Sequence, residues 1–186
     1  MINWKSIHKN IMAADNILLT THENPDGDGL GSAAAMWHHL RFINKNCRII
    51  NISKLPAEFD FLNKNKIFET YDPELHDNWI SKVDLALVFD VGDFGRLRGI
   101  GEHLSEKNIY TVNIDHHPDT GKGKFSQDLI DTSAAATGEM IYNYLLFADA
   151  EFSLELCDGL YTAILTDTGS FRHNNTNEIC HEIDIL

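Results

Sequence analysis

Four short apolar runs rich in β-branched residues recur along the chain: Asn16 to Thr21 (NILLTT), Cys47 to Ile52 (CRIINI), Val83 to Asp90 (VDLALVFD) and Ile109 to Ile114 (IYTVNI). Their length and near-continuous apolar character mark strands buried on both faces. Between and after them the apolar positions switch to helical spacing. This happens at Gly31 to Ile43, with Ala33, Trp37 and Leu40 in register, and again at Ala134 to Phe147 and Ser153 to Leu165. Such alternation predicts an α/β fold, a mostly parallel, doubly wound sheet flanked by helices. The connection from Ser53 to Lys82 is broken by Pro56 and Pro73 and reads as small helices with room for one extra strand. Asn177 to Leu186 looks like the first turns of a helix without a cap, which fits either a chain cut short or a natural terminal helix.

Composition narrows the class. A chain of 186 residues, 43% hydrophobic and 23% charged, has the balance of one globular domain. The first fifteen residues, MINWKSIHKNIMAAD, hold no uninterrupted apolar run, so neither a secretion signal nor a membrane span is expected and the cytoplasm is the expected compartment. Cys47, Cys157 and Cys180 lie far apart with no C-x-x-C pair, against both a disulfide framework and a structural zinc site. A net charge of −13 argues against a protein that coats long duplex nucleic acid. The same acidity suits an enzyme whose carboxylates hold cations, because each divalent ion returns two positive charges where an anionic substrate docks.

The chemistry-bearing residues sit where those elements end. After the first strand, His22-Glu23-Asn24-Pro25-Asp26-Gly27-Asp28-Gly29-Leu30-Gly31-Ser32 reads as a tight glycine-rich loop before a helix, able to turn His22, Asp26 and Asp28 into one volume. Ordinary turn chemistry uses the same residue types, so this segment alone does not decide. It is no dinucleotide fingerprint: a G-x-G-x-x-G pattern from Gly27 requires glycine where Ser32 stands, and two aspartates would repel a pyrophosphate. Asp90 closes an apolar strand and opens Asp90-Val91-Gly92-Asp93-Phe94-Gly95-Arg96-Leu97, a costly place for a charge without compensation. The next strand ends in Asp115-His116-His117-Pro118. The helix-like stretch after Ser153 ends in Leu165-Thr166-Asp167-Thr168-Gly169-Ser170-Phe171-Arg172-His173, where Asp167 could also be a simple cap. Four polar clusters at the ends of four core elements point to one shared pocket.

HENPDGDGLGSAAA, DVGDFGRL, IDHHPD and LTDTGSFRH resemble, in order and spacing, the four motifs of the DHH phosphoesterase superfamily. The first motif is most similar to that of the nanoRNase/pAp phosphatase subgroup. The resemblance implies a two-metal centre in which His22, Asp26 and Asp90 hold one divalent cation, and Asp28, Asp90, His116 and Asp167 hold the other, with Asp90 shared. Four carboxylates against two divalent cations is a neutral count. Oxygen-rich ligands with one imidazole per ion suit Mn²⁺ best, with Mg²⁺ or Co²⁺ as alternatives. Two such ions can activate water for attack on phosphorus. The resemblance further implies that His117 binds or protonates the phosphate, and it makes His117, Asp90 and Arg96 the catalytic candidates. His117, Arg96, Arg172 and His173 are the candidates for holding phosphate oxygens.

The function so implied is hydrolysis of nucleotide phosphate esters: pAp to AMP, and very short oligonucleotides to mononucleotides. Partners would be a nucleotide or short oligonucleotide, with no long duplex and no membrane; a homodimer is left open. Cyclic-dinucleotide cleavage, pyrophosphatase and single-strand exonuclease activities are the neighbouring enzymatic readings. A metal-dependent nucleotide-binding or regulatory module is the reading from another class. Residues 1–186 are expected to form the DHH catalytic domain, without a recognisable DHHA1 substrate-capping segment of the kind this subgroup usually carries.

Overall fold

The computed structural model describes residues 2–122, 124–173 and 175–185. Six strands form one sheet: β1 (Asn16–Thr21), β2 (Asn46–Asn51), β3 (Phe68–Thr70), β4 (Leu85–Phe89), β5 (Tyr110–Asp115) and β6 (Gln127–Ile130). Their order is β3-β2-β1-β4-β5-β6 and every neighbouring pair is parallel. Parallel neighbours need crossovers, and helices supply most of them. In chain order the helices are α1 (Trp4–Ala13), α2 (Gly27–Phe42), α3 (Pro73–Ile80), α4 (Arg98–Glu106), α5 (Thr137–Phe147), α6 (Leu154–Asp167) and α7 (Glu178–Ile185). Short 3-10 turns at Ala57–Asn63 and Phe94–Leu97 complete the set.

Each central strand is apolar on both sides because both sides are covered. Ile17 and Leu19 of β1 join Leu85, Leu87, Phe89, Val112 and Ile114 in the larger core, under α1, α2, α5, α6 and α7. Leu18, Ala86 and Val88 face the opposite way, onto Ile80 of α3 and Ile100 and Leu104 of α4. The sheet is therefore doubly wound, as the alternation predicts. Strand order reverses between β1 and β4, so a crevice opens at their carboxyl ends, the usual ligand position in open α/β sheets.

The differences from the sequence reading have local causes. β3 does fall in the Ser53–Lys82 connection, but it is a three-residue edge strand without a fully buried side chain. β6 and α1 carry no apolar run to announce them: only Leu129 of QDLI is buried, and α1 buries Ile7 and Ile11 alone. The largest change concerns the glycine-rich segment. α2 begins at Gly27 rather than Gly31, because the Asp26 carboxylate caps it, accepting from the Asp28 and Gly29 backbone N–H groups at 3.1 and 3.2 Å. Asp28 is thus fixed in a helical first turn and does not lie on a loop.

The same glycines set the spacing of two helices. A Cβ on Gly31 would strike the Gly159 carbonyl of α6, and one on Gly159 would lie 2.8 Å from Gly31 O and 2.9 Å from Ala35 N. α2 and α6 accordingly meet backbone to backbone and run antiparallel, with Gly27 against Thr166. This brings Asp167, at the end of α6, beside the start of α2. Among the described residues, no helix is long and apolar enough to cross a membrane.

Candidate metal centre

Three parallel elements and one helix end deliver the polar clusters to the switch-point crevice. His22 follows β1, Asp90 follows β4, His116 and His117 follow β5, and Asp167 ends α6. Seven of the sequence-expected residues meet there in three overlapping groups, one of them formed by Asp90, His116 and His117. In the first, His22 Nε2 lies 3.7 Å from Asp26 Oδ2 and 3.4 Å from Asp90 Oδ2. In the second, His116 Nε2 lies 3.7 Å from Asp28 Oδ2, 3.4 Å from Asp167 Oδ2 and 3.9 Å from Asp90 Oδ1. His22, Asp26 and Asp90 can converge on one ion, as can Asp28, His116 and Asp167. Asp90 reaches both groups, one oxygen to each. Its backbone sits in the left-handed region, φ +59°, a strained conformation held by the Asp90 N–H to Ile114 O bond at 3.0 Å.

Orphaned atoms in this cluster bear on whether cations fit. Asp90 Oδ1 and His116 Nε2 are buried and have no hydrogen-bond partner. Buried polar atoms are rarely left so, and these two face each other across the place an ion would fill. Both ligand-type imidazoles have their other nitrogen occupied by a carbonyl: His22 Nδ1 is 2.8 Å from Glu23 O and His116 Nδ1 is 3.4 Å from Ala134 O. A Nδ1–H donated to a carbonyl leaves the Nε2 lone pair for a metal. The Asp28 carboxylate is likewise oriented from behind by the Thr137 and Gly138 N–H groups at the start of α5, at 2.7 and 2.8 Å, and by Ser32 Oγ at 3.3 Å. The donor set is oxygen and imidazole with no sulfur, which fits Mn²⁺, Mg²⁺ or Co²⁺.

Electrostatics tell the same story in the protein alone. Burial, then the Asp90 and Asp167 carboxylates, push Asp28 well above the usual carboxylate range. Asp167 is raised too, by burial and by Asp90 and Asp26, against the pull of His116. Burial opposes ionisation of Asp90 as well, yet His117 and His22 hold it well below its ordinary value. Burial lowers the affinity of His22 for a proton, but Asp26 and Asp90 overcome this and bring its pKa to about 9. His117 reaches about 10 through Asp115 first and Asp90 second. Protons on these imidazoles offset part of the cluster's negative charge, and bound cations would displace them.

The remaining candidates are spread around this centre. Arg96, on the 3-10 turn after Asp90, has Nη2 2.6 Å from His22 Nδ1 and 3.4 Å from Glu23 O. A guanidinium only donates, so once His22 gives its Nδ1–H to Glu23 O, Arg96 is left to that carbonyl or to an incoming anion. His117 is half exposed at the rim. Arg172 and His173 lie outside the ligand groups. They are exposed after α6, with Arg172 Nε on Gly169 O at 3.0 Å and His173 Nδ1 3.4 Å from Asp167 O. Residues not singled out from the sequence also shape the site. Glu23 and Arg98 form an ion pair at 2.5 Å beside Arg96, and Asp115 contacts His117. Asp115 carried a readable signal, a charge closing a buried strand just as Asp90 does; the backbone groups of Thr137 and Gly138 carried none.

The comparisons with known proteins agree with this geometry. The family model described as the N-terminal domain of the DHH family matches residues 16–166. An uncharacterized protein of Mycoplasma genitalium is 31% identical over 169 residues, 90% of this chain and 49% of that protein. The bifunctional oligoribonuclease and PAP phosphatase NrnA of Thermus thermophilus is 29% identical over 163 residues, 86% of this chain and 45% of that protein. The chain thus spans about half the length of these curated relatives. In fold it is similar to the crystal structure of an exopolyphosphatase-related protein from Bacteroides fragilis, with a TM-score of 0.87 at 24% identity over 98% of this chain and 54% of that one. With the family model covering the sheet, α2 and nearly all of α6, the chain belongs to the DHH family of phosphoesterases, metal-dependent hydrolases.

Proposed function

We propose that the protein carrying this chain hydrolyses phosphate esters of nucleotides and very short oligonucleotides, converting pAp to AMP and nanoRNA to mononucleotides, in the cytoplasm, with two divalent cations for which Mn²⁺ is best suited. The observation that carries the reading is the meeting of His22, Asp26, Asp28, Asp90, His116 and Asp167 in two ligand groups that share Asp90. When bound, the cations would supply Lewis-acid charge and acidify bound water. His22, Asp26 and Asp90 would hold one, and Asp28, Asp90, His116 and Asp167 the other. His117 stands at the rim with its ring half in solvent, suited to bind the phosphate or hand a proton to the leaving oxygen. Arg96, beside His22 and the Glu23 carbonyl, would neutralise a phosphate oxygen, and Arg172 and His173, exposed just after α6, are further candidates for that role. The nucleotide specificity draws support from the relative in Thermus thermophilus whose name states that activity.

A product-release assay with Mn²⁺ tests this, comparing pAp, a dinucleotide, a cyclic dinucleotide and pyrophosphate. Turnover of pAp and the dinucleotide is expected, and Asp90→Ala should abolish it by removing a ligand common to both ions. An active Asp90→Ala protein would refute the shared role. Preference for the cyclic dinucleotide or pyrophosphate would move the substrate class; tight binding without product from any of the four would favour a regulatory nucleotide-binding module.

A further inference from the structure

Asp115 closes β5 just before the two histidines and is 1% exposed. A carboxylate so deeply buried needs donors. Among the described residues its side chain finds them in one residue only: Oδ1 accepts from the His117 backbone N–H at 3.0 Å and lies 2.9 Å from His117 Nδ1. It belongs to none of the ligand groups in the crevice. Asp90 Oδ1 is also near His117 Nδ1, at 3.1 Å, but makes no hydrogen bond there, and the same oxygen lies 3.9 Å from His116 Nε2. Asp115 therefore grips His117 twice, at the main chain and at the ring. With Nδ1 taken, the far nitrogen, Nε2, is the one left for other partners.

We infer that Asp115 is a positioning residue and not a metal ligand: it holds the His117 ring by Nδ1 so that Nε2 is the atom presented to the substrate phosphate. What Nε2 meets rests on the proposed phosphoesterase reading; the grip of Asp115 on His117 does not. Without the Oδ1 acceptor the ring turns about its χ angles and the phosphate contact is lost, while both ion sites keep their ligands.

Four variants test this on the full chain: Asp115→Ala, Asp115→Asn, His117→Ala and the Asp115→Ala/His117→Ala double. Mn²⁺ titration should give the wild-type stoichiometry in all four. With pAp as substrate, kcat/KM should fall roughly 10- to 100-fold in Asp115→Ala, the range seen when a residue that orients a site group is removed. Asp115→Asn keeps an acceptor oxygen and should retain most activity. In the His117→Ala background the Asp115→Ala substitution should cost nothing further, an outcome that a general packing role would not produce. A second readout needs no turnover: in Mg²⁺-loaded protein the His117 Nδ1–H should give a slowly exchanging NMR signal in the wild type and in Asp115→Asn, and none in Asp115→Ala. Loss of an ion in Asp115→Ala, additive losses in the double variant, or an unchanged Nδ1–H signal would each overturn the inference. If Asp115→Ala does not fold, Asp115→Leu, with the same branched shape but without an acceptor, takes its place. Should the wild type hydrolyse no pAp, the proposed function falls while the Nδ1–H signal still decides the role of Asp115.

Discussion

His39 shows how far one side chain's protonation reaches when it is buried away from the centre. Its ring is 3% exposed on α2, neither nitrogen has a partner, and it stands edge-on to Tyr144 with centroids 6.0 Å apart. Burial, reinforced by His8, pushes its pKa down from 6.5 to about 4. The unfolded chain therefore takes up a proton near pH 6.5 that the folded chain refuses until about pH 4, so folding stability falls as pH drops through that window and is intact above it. At pH 5 the loss amounts to about 2 kcal/mol, from the linkage relation applied to those two values. Denaturant melts at pH 7 and pH 5 should show a larger drop for the wild type than for His39→Leu, which has nothing to titrate. Equal drops would mean that His39 is solvated or paired. The contrast with His22 is instructive, since burial depresses both, and the adjacent Asp26 and Asp90, helped by the Glu23 carbonyl, reverse the sign at His22.

At the level of elements, the crossing of α2 and α6 decides whether a site exists. Asp26 and Asp28 arrive on one helix and Asp167 on the other, and the two groups reach each other because Gly31 and Gly159 permit backbone contact. Gly31→Ala would push the helices apart, with an overpacking cost of roughly 1 to 3 kcal/mol. Because Asp167 would then retreat from Asp28, Mn²⁺ affinity should fall along with the melting temperature. Gly92→Ala is the natural comparison, since a methyl there meets only Asp115 Oδ2 at 3.7 Å and should change stability little. Calorimetric Mn²⁺ titration of both variants measures the coupling; full affinity in Gly31→Ala would show that Asp167 is positioned some other way.

Across the whole molecule the site is a concentration of like charge that the fold tolerates at a cost. Asp28 and Asp167 are both raised by burial and by neighbouring carboxylates, so ionising them without cations works against folding. Mn²⁺ should therefore raise the melting temperature in a concentration-dependent way, with roughly 2.7 kcal/mol gained at a hundredfold excess over the dissociation constant. A chelator should reverse the gain, and Asp90→Ala should remove most of it. A melting temperature indifferent to Mn²⁺ in the wild type would contradict the ion sites altogether.

Much of this was readable from the chain. The β-branched runs gave β1, β2, β4 and β5 to within one or two residues, because strands buried on both faces must be apolar throughout. The aspartates and histidines at their ends stood out because charge beside such runs requires a reason. What stayed hidden depended on contacts between distant segments. β6 exists because β5 offers an open edge, and its own residues give little sign of it. The start of α2 was masked because glycine reads locally as a loop former, while its use here is to let Gly159 of another helix come close. The order β3-β2-β1-β4-β5-β6, which puts β1 next to β4 and so His22 next to Asp90, is likewise not written in any local pattern. The sequence by itself determined which residues could carry charge chemistry and which runs had to be buried, since those follow from side-chain type and periodicity. Only the tertiary structure decided that Asp90 stands between two histidine-bearing groups, because distances of 3 to 4 Å between residues up to 88 positions apart are set by packing.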